Sequence, residues 1–147
     1  MYLIMKIKGV FKDNERIPSK YTCDGKNINP PLEFTDVPKN TKSLVLIVDD
    51  PDSPSGVFTH WILWNILPGT KSIKENSVPT GAEEGTNDFG NVGYGGPCPH
   101  SGTHRYKFAL YALDTKLNFS NGTKDSLEKA MKGHIIDKAI LTGIYSR

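Results

Sequence analysis

Residues 43–54 read Ser-Leu-Val-Leu-Ile-Val-Asp-Asp-Pro-Asp-Ser-Pro. The run from Ser43 to Val48 is unbroken, β-rich and short, the pattern of a strand buried on both faces rather than of a helix. The Asp-Asp-Pro corner that follows ends it. Beyond a loop rich in Pro, Ser and Gly, Val57 to Leu67 carries His60, Trp61, Ile62, Leu63, Trp64 and Ile66. It reads as a second central strand, closed by Pro68-Gly69.

The same reading extends outward in both directions. Met5 to Lys12 alternates as a first strand, and the Asn-Ile-Asn-Pro-Pro run at 27–31 forces extended backbone and is a candidate for a cis peptide. His104 to Leu113 alternates as a strand with His104, Tyr106, Phe108 and Leu110 facing inward and Arg105, Lys107, Ala109 and Tyr111 opposed. Lys124 to Lys132 predicts a helix through the spacing of Leu127, Ala130 and Met131, stopped by Gly133. Ala139 to Tyr145 predicts a last strand. Between these elements, Gly81, Gly85, Gly90, Gly93, Gly95, Gly96 and Gly102 mark a long loop of the kind that carries function.

The 147 residues suffice for one domain, 1–147, with a real core. Fourteen glycines and ten prolines favour turns and short strands over a bundle. The reading is mostly β: a β-sandwich with one or two short helices. With 18 Lys and Arg against 16 Asp and Glu, the net charge of +2 lacks the basic excess of a nucleic-acid-binding protein. A mean hydropathy of −0.41 excludes a polytopic membrane protein. The apolar stretch Tyr2 to Met5 is broken by Lys6 and Lys8, too short for a signal-peptide core, so a cytoplasmic protein is expected. Cys23 and Cys98 permit a single bridge, and no disulfide-dense scaffold. The glycosylation-type patterns at Asn118 and Asn121 are read as a surface turn around Asn121-Gly122.

Three clusters carry chemistry. The rigid corner Asp49-Asp50-Pro51-Asp52-Ser53-Pro54 suits binding a cation, orienting a histidine, or bonding its own backbone amides in Asx turns. His60 interrupts an apolar strand ten residues after Asp50, where a satisfied core histidine is the ordinary reading and a site residue the sharper one. The run Gly95-Gly96-Pro97-Cys98-Pro99-His100-Ser101-Gly102-Thr103-His104-Arg105-Tyr106 offers backbone N–H groups for an anion and aims an imidazole and a phenol to one side. No Lys-Ser/Thr and no helix follow these glycines, so neither a phosphate loop nor a dinucleotide fingerprint is supported. There is no Gly-x-Ser-x-Gly nucleophile, and Cys98 is wedged between prolines. Cys98, His100 and His104 are candidate metal ligands by residue type, but they share an irregular loop with no evident fourth ligand; no metal or cofactor is expected.

These residues resemble the phosphatidylethanolamine-binding proteins, in their short bacterial and archaeal Raf-kinase-inhibitor-like branch, over nearly the whole chain. Asp50-Pro51-Asp52-Ser53-Pro54 is similar to the family's Asp-Pro-Asp-x-Pro signature and Gly102-Thr103-His104-Arg105 to its Gly-x-His-Arg signature. His60 within Thr-His-Trp, the Asn27 to Leu32 run and the tail from Met131 to Tyr145 fit in order. The resemblance implies a small surface pocket for anions such as phosphate or a phospholipid head group, using Asp50, His60, Gly96, Pro97, His104 and Tyr106. Asp52, Pro54 and Arg105 would be structural, with Arg105 paired to an acid such as Asp52. No C-terminal helix is expected at the pocket rim, unlike the mammalian members.

The implied role is a non-enzymatic, regulatory binding protein. Its alternatives are an inhibitor acting by protein contact on a serine protease or a kinase, through a loop within Ser72 to Asn91, and a small hydrolase. The pocket is too small for two acyl chains, and no polybasic run supports stable membrane association. Homodimerisation is expected if Tyr2, Trp64 or Phe119 forms an exposed patch. An ionised Asp50 would repel an anion, so His60 or His104 becoming cationic, or Asp50 keeping a proton, should strengthen binding as pH falls through about 6.5.

Overall fold

The computed structural model describes residues 3–119 and 122–147. Tyr2, and Asn121 of the expected Asn121-Gly122 turn, lie outside them. Among the described residues, nine strands, one α-helix and a short 3₁₀ turn at Ser19–Tyr21 follow in chain order: β1 (Lys6–Gly9), β2 (Glu15–Arg16), β3 (Leu32–Thr35), β4 (Ser43–Asp50), β5 (Phe58–Ile66), β6 (Ser72–Ile73), β7 (Glu83–Glu84), β8 (Thr103–Leu113), α1 (Lys124–Met131) and β9 (Ile135–Ser146). A large sheet has the order β2-β9-β8-β4-β5-β7, antiparallel except where β2 meets β9. A small antiparallel sheet, β1-β3-β6, packs over one face.

The uninterrupted apolar sequence of β4 follows from its place at the centre of the large sheet, between β5 and β8. Leu44, Leu46 and Val48 face the small sheet, in a core with Phe34, Ile73, Trp61, Phe108 and Leu110. Val45 and Ile47 face the other way, where Ile62, Trp64, Leu113, Leu117, Leu127 and Met131 form a second core. The helix supplies Leu127 and Met131 to that second core, each fully buried side chain contributing about 1.5–3 kcal/mol. It starts where the Thr123 hydroxyl accepts the Ser126 N–H. Trp64 is 6% exposed, with its ring against Phe119, so it offers no surface patch for the expected dimer.

Other expectations are corrected in detail. The first strand ends at Gly9 rather than Lys12, because Phe11 turns into the core and is 5% exposed. Every peptide bond described is trans, including those of the Pro30-Pro31 run, where Asn29 holds the chain by donating to the Pro30 and Lys74 carbonyls. The last strand begins at Ile135, earlier than Ala139, because the whole of β9 finds a partner along β8.

One irregularity sets the function-bearing geometry. In the β4–β5 pairing Val48 stands opposite Trp61 and Asp49 opposite Thr59, so β5 holds one extra residue, His60. Strict alternation from Trp61 would send His60 to the helix side with Ile62 and Trp64. The bulge turns it to the same side as Trp61 and Leu63, towards the end of the layer between the sheets.

Candidate functional site

At that end of the interlayer lies a cavity of about 360 Å³ lined by Asp50, Ser53, Pro54, Ser55, Phe58, His60, Phe89, Cys98, Pro99, His100, His104 and Tyr106. Asp50 reaches it because it continues the inward-facing series of Leu44, Leu46 and Val48. His104 and Tyr106 reach it because they continue that of Phe108 and Leu110 on the adjacent strand. Three strands thus deliver Asp50, His60, His104 and Tyr106 to one floor, as the sequence predicts. Asp50, His60 and Tyr106 are nearly closed off from bulk water at 4%, 3% and 1% exposure, and Ser53, Ser55 and His100 stand at the mouth.

The polar groups of the floor are already engaged, each on one side. His104 Nδ1–H donates to Asp50 Oδ2 at 2.6 Å, and the Asp52 backbone N–H donates to Asp50 Oδ1 at 2.7 Å. Asp50 therefore does two of the things its sequence context allows: it orients a histidine and closes an Asx turn. His60 Nδ1–H donates to the Gly95 carbonyl at 2.6 Å, while Gly95 N–H donates back to the His60 carbonyl. Among the described residues no hydrogen bond engages Nε2 of either ring, which leaves it for a ligand. Burial pushes the His60 pKa below the ordinary histidine value, outweighing the Gly95 carbonyl and the charges of Asp50 and Asp49, so that ring stays neutral. Burial likewise raises the Tyr106 phenol well above its usual range, and it remains a donor. Of the two imidazoles expected to charge, His104 is the one placed against a carboxylate.

Arg105 points away from the cavity, as expected, and pairs with Asp52. Nε donates to Oδ2 at 2.9 Å, Nη2 to Oδ1 at 2.8 Å, and the Arg105 backbone N–H also to Oδ2. The guanidinium bonds hold the Asp52 pKa down at about 2. Pro54, expected to be structural only, also lines the cavity.

Gly96 and Pro97 do not line it. The Gly96 N–H donates to Asn27 Oδ1 and the Pro97 carbonyl accepts from Cys23 N–H, so these residues form the back of the wall, packed on the Tyr21–Asn27 segment. A side chain at Gly96 would collide with the Tyr21 carbonyl oxygen and Asn27 Oδ1. The glycine amides expected to cradle an anion, those of Gly95, Gly96 and Gly102, are spent on the protein itself. Cys98, Pro99 and His100 take their place. Cys98 is joined to Cys23 in a disulfide, which removes its thiolate as a metal ligand.

The aromatic wall was not foreseen. Phe58, Phe89 and His60 pack with centroids 4.7–5.4 Å apart, and Phe89 is 46% exposed at the rim. Its loop is shaped by Asn87, whose Oδ1 accepts the Phe89 and Asn91 N–H groups and whose Nδ2 donates to the Gly93 carbonyl. The Asn87-Asp88-Phe89-Gly90 sequence is the available signal: a turn formed by polar residues and glycine that carries one large apolar side chain.

Fold and site together define a small two-sheet β protein whose histidine-and-carboxylate pocket opens at one end of the interlayer. The phosphatidylethanolamine-binding protein family model matches residues 7–146, and the chain belongs to that family, in its bacterial and archaeal branch. It is 52% identical over 143 residues to a UPF0098 protein of Methanothermobacter thermautotrophicus, covering 93% of this chain and 95% of that one. To a UPF0098 protein of Pyrococcus horikoshii it is 51% identical, covering 97% and 77%. Among solved structures it is similar to a putative phosphatidylethanolamine-binding protein homologue from Chlamydia trachomatis, with a TM-score of 0.93, 44% identity and 98% of both chains covered. It is also similar to YbcL of E. coli, described as a member of the mammalian family, with a TM-score of 0.91, 29% identity and 99% of both chains covered. Among the described residues no helix is long and apolar enough to cross a membrane.

Proposed function

We propose that the protein is a non-enzymatic binding protein whose pocket takes a small phosphate-type anion, free or displayed as a head group or on a protein partner. The observation that carries this is the state of Asp50. Both of its oxygens accept hydrogen bonds from within the protein, so its charge faces His104 and the Asp52 amide rather than an incoming anion. An imidazolium at His104 then forms a neutral pair with Asp50 and offers Nε2–H to the ligand, joined by the Tyr106 phenol and the Ser53 and Ser55 hydroxyls. Neutral His60 presents an acceptor at Nε2, which suits an anion that keeps one proton, such as hydrogen phosphate. A volume of about 360 Å³ fits a head group and excludes a pair of acyl chains.

Binding rather than catalysis is the reading the hydrogen bonds favour. Among the described residues no hydroxyl or thiol of the pocket is bonded to either imidazole, and the one sulfur at the wall is in a disulfide.

Calorimetric titration with inorganic phosphate and with sulfate, from pH 5.5 to 8, tests the proposal. Sulfate keeps its charge over this range, so its affinity reports the protein alone. It should strengthen as pH falls across this range, because a cationic imidazole in the pocket attracts the anion. His104→Gln should flatten that dependence. Saturable binding of neither anion at any pH would overturn the reading.

A further inference from the structure

The Cys23–Cys98 bridge spans 75 residues and joins the segment after the 3₁₀ turn to the pocket wall. We propose that this disulfide is a thiol-exchange site, opened by a dithiol reductant, and that its opening releases the 98–101 wall and weakens anion binding. For its ligand this rests on the function proposed above.

Three observations carry it. The first is dependence of the wall on the bond. Pro97 and Pro99 have no N–H to donate, and among the described residues no backbone–backbone hydrogen bond holds 98–101 between the Cys23–Pro97 contact and the paired amides of Gly102 and Arg147. Cys98, Pro99 and His100 line the cavity across this stretch. The Cys98 backbone meets the Tyr106 phenol, and the disulfide is the covalent tie that fixes the stretch to the Cys23 segment.

The second is access. Both cysteines are partly exposed, and Cys98 lines the cavity, which opens to solvent. The proposed exchange uses this opening, so a thiolate would attack without unfolding the protein, unlike the buried bridges that resist reduction.

The third is a fixed cation beside the leaving group. Arg147 Nη1 lies 3.5 Å from Cys98 Sγ and 3.8 Å from Cys23 Sγ. Its position is set by the reciprocal Gly102–Arg147 backbone bonds and by Asp24, whose Oδ1 is 3.2 Å from Nη2. The facing charge of Asp24 is shared with the Tyr145 hydroxyl, which donates to its other oxygen. A thiolate departing from either cysteine is thus stabilised, and a better leaving group exchanges faster.

In the reaction, a thiolate of the reductant attacks one sulfur. The protein S–S bond breaks as a mixed disulfide forms, and the other cysteine leaves as a thiolate. The second thiol of the reductant then displaces the first cysteine. Two electrons pass to the protein, the reductant departs as its own disulfide, and two cysteine thiols remain after protonation.

The test treats the native protein with dithiothreitol, counts thiols by mass after alkylation, and follows amide hydrogen exchange at Cys23, Gly96 and Gly102 and phosphate affinity in both redox states. Exchange should go to completion without unfolding, Arg147→Gln should slow it about tenfold, and the Cys23, Gly96 and Gly102 amides that bound the wall should lose protection while β8 keeps it. Phosphate should bind about tenfold more weakly to the reduced protein, and likewise to the Cys23→Ser/Cys98→Ser variant, with re-oxidation restoring wild-type affinity. A bond that resists the dithiol until the protein unfolds overturns the exchange site, and unchanged protection and affinity after reduction overturn the coupling. If phosphate binds neither form, the proposed function fails, while thiol counts and hydrogen exchange still decide the exchange site and the release of the wall.

Discussion

His104 Nδ1 and Asp50 Oδ2 lie 2.6 Å apart although 54 residues separate them in the chain, with side chains only 13% and 5% exposed. The contact joins the ends of two neighbouring strands, so it is held by the β4–β8 register and not by a flexible loop. Asp50→Ala would leave the His104 Nδ1–H and the Asp52 amide without partners. A loss of about 2 kcal/mol in urea unfolding is expected. Asp50→Asn keeps an acceptor for His104 and should cost less stability, yet it removes the negative charge that faces the ring. Phosphate binding at pH 6 should fall about tenfold in this variant, and an affinity equal to wild type would remove Asp50 from the binding scheme.

His60 makes an independent prediction, on stability. Its folded-state pKa lies below the unfolded value near 6.5, because burial penalises the charged ring. Below about pH 6.5 the unfolded chain binds a proton that the native ring refuses, so stability is full above that pH and declines as pH falls toward the folded value. Urea unfolding at pH 7.5 and 5.5 should show that decline. His60→Gln, which has no proton to gain, should show a shallower one, and parallel curves for the two proteins would contradict it.

Arg105→Lys replaces a two-pronged contact by a single point charge. Asp52, held at about 2 against an ordinary 3.8, should then titrate at a higher pH, as read from its carboxyl carbon by NMR. The depressed value means the pair contributes stability above about pH 4 and loses it as pH falls through about 2, so the acid-unfolding midpoint should move up. At neutral pH the change in melting should be small, since both side chains are substantially exposed and solvent screens the pair. Anion affinity should not change, because Arg105 faces away from the cavity.

What could be read from the sequence divides by physical cause. The long strands β4, β5 and β8 and the helix are legible, because burial on one face writes a period, and burial on both an unbroken apolar run, into eight or more residues. The two-residue strands β2, β6 and β7 carry no period and exist only through their neighbours. Asp50, His60, His104 and Tyr106 were found as a set, but the bulge that turns His60 inward lies in the pairing of two strands, which one strand's sequence cannot display. Gly96 and Pro97 enter the expected pocket through the family resemblance, and the sequence does not correct it: glycine signals close backbone approach without saying what approaches. Here it is the Tyr21–Asn27 segment.

That close approach makes the final prediction. A methyl group at residue 96 would overlap the Tyr21 carbonyl oxygen and sit 2.5 Å from Asn27 Oδ1, and the first of these is backbone, which cannot rotate away. Gly96→Ala must therefore push the wall off the Tyr21–Asn27 segment, breaking the Gly96–Asn27 bond and straining the Cys23–Pro97 contact one residue on. Overpacking of this kind costs about 1–3 kcal/mol. The shifted segment carries Cys98, Pro99 and His100, so phosphate affinity should fall although residue 96 touches no ligand. Asn27→Ala removes the acceptor without adding bulk and should weaken binding less than Gly96→Ala does. Equal binding by Gly96→Ala and wild type, with both folded, would show that the wall's position does not govern the pocket.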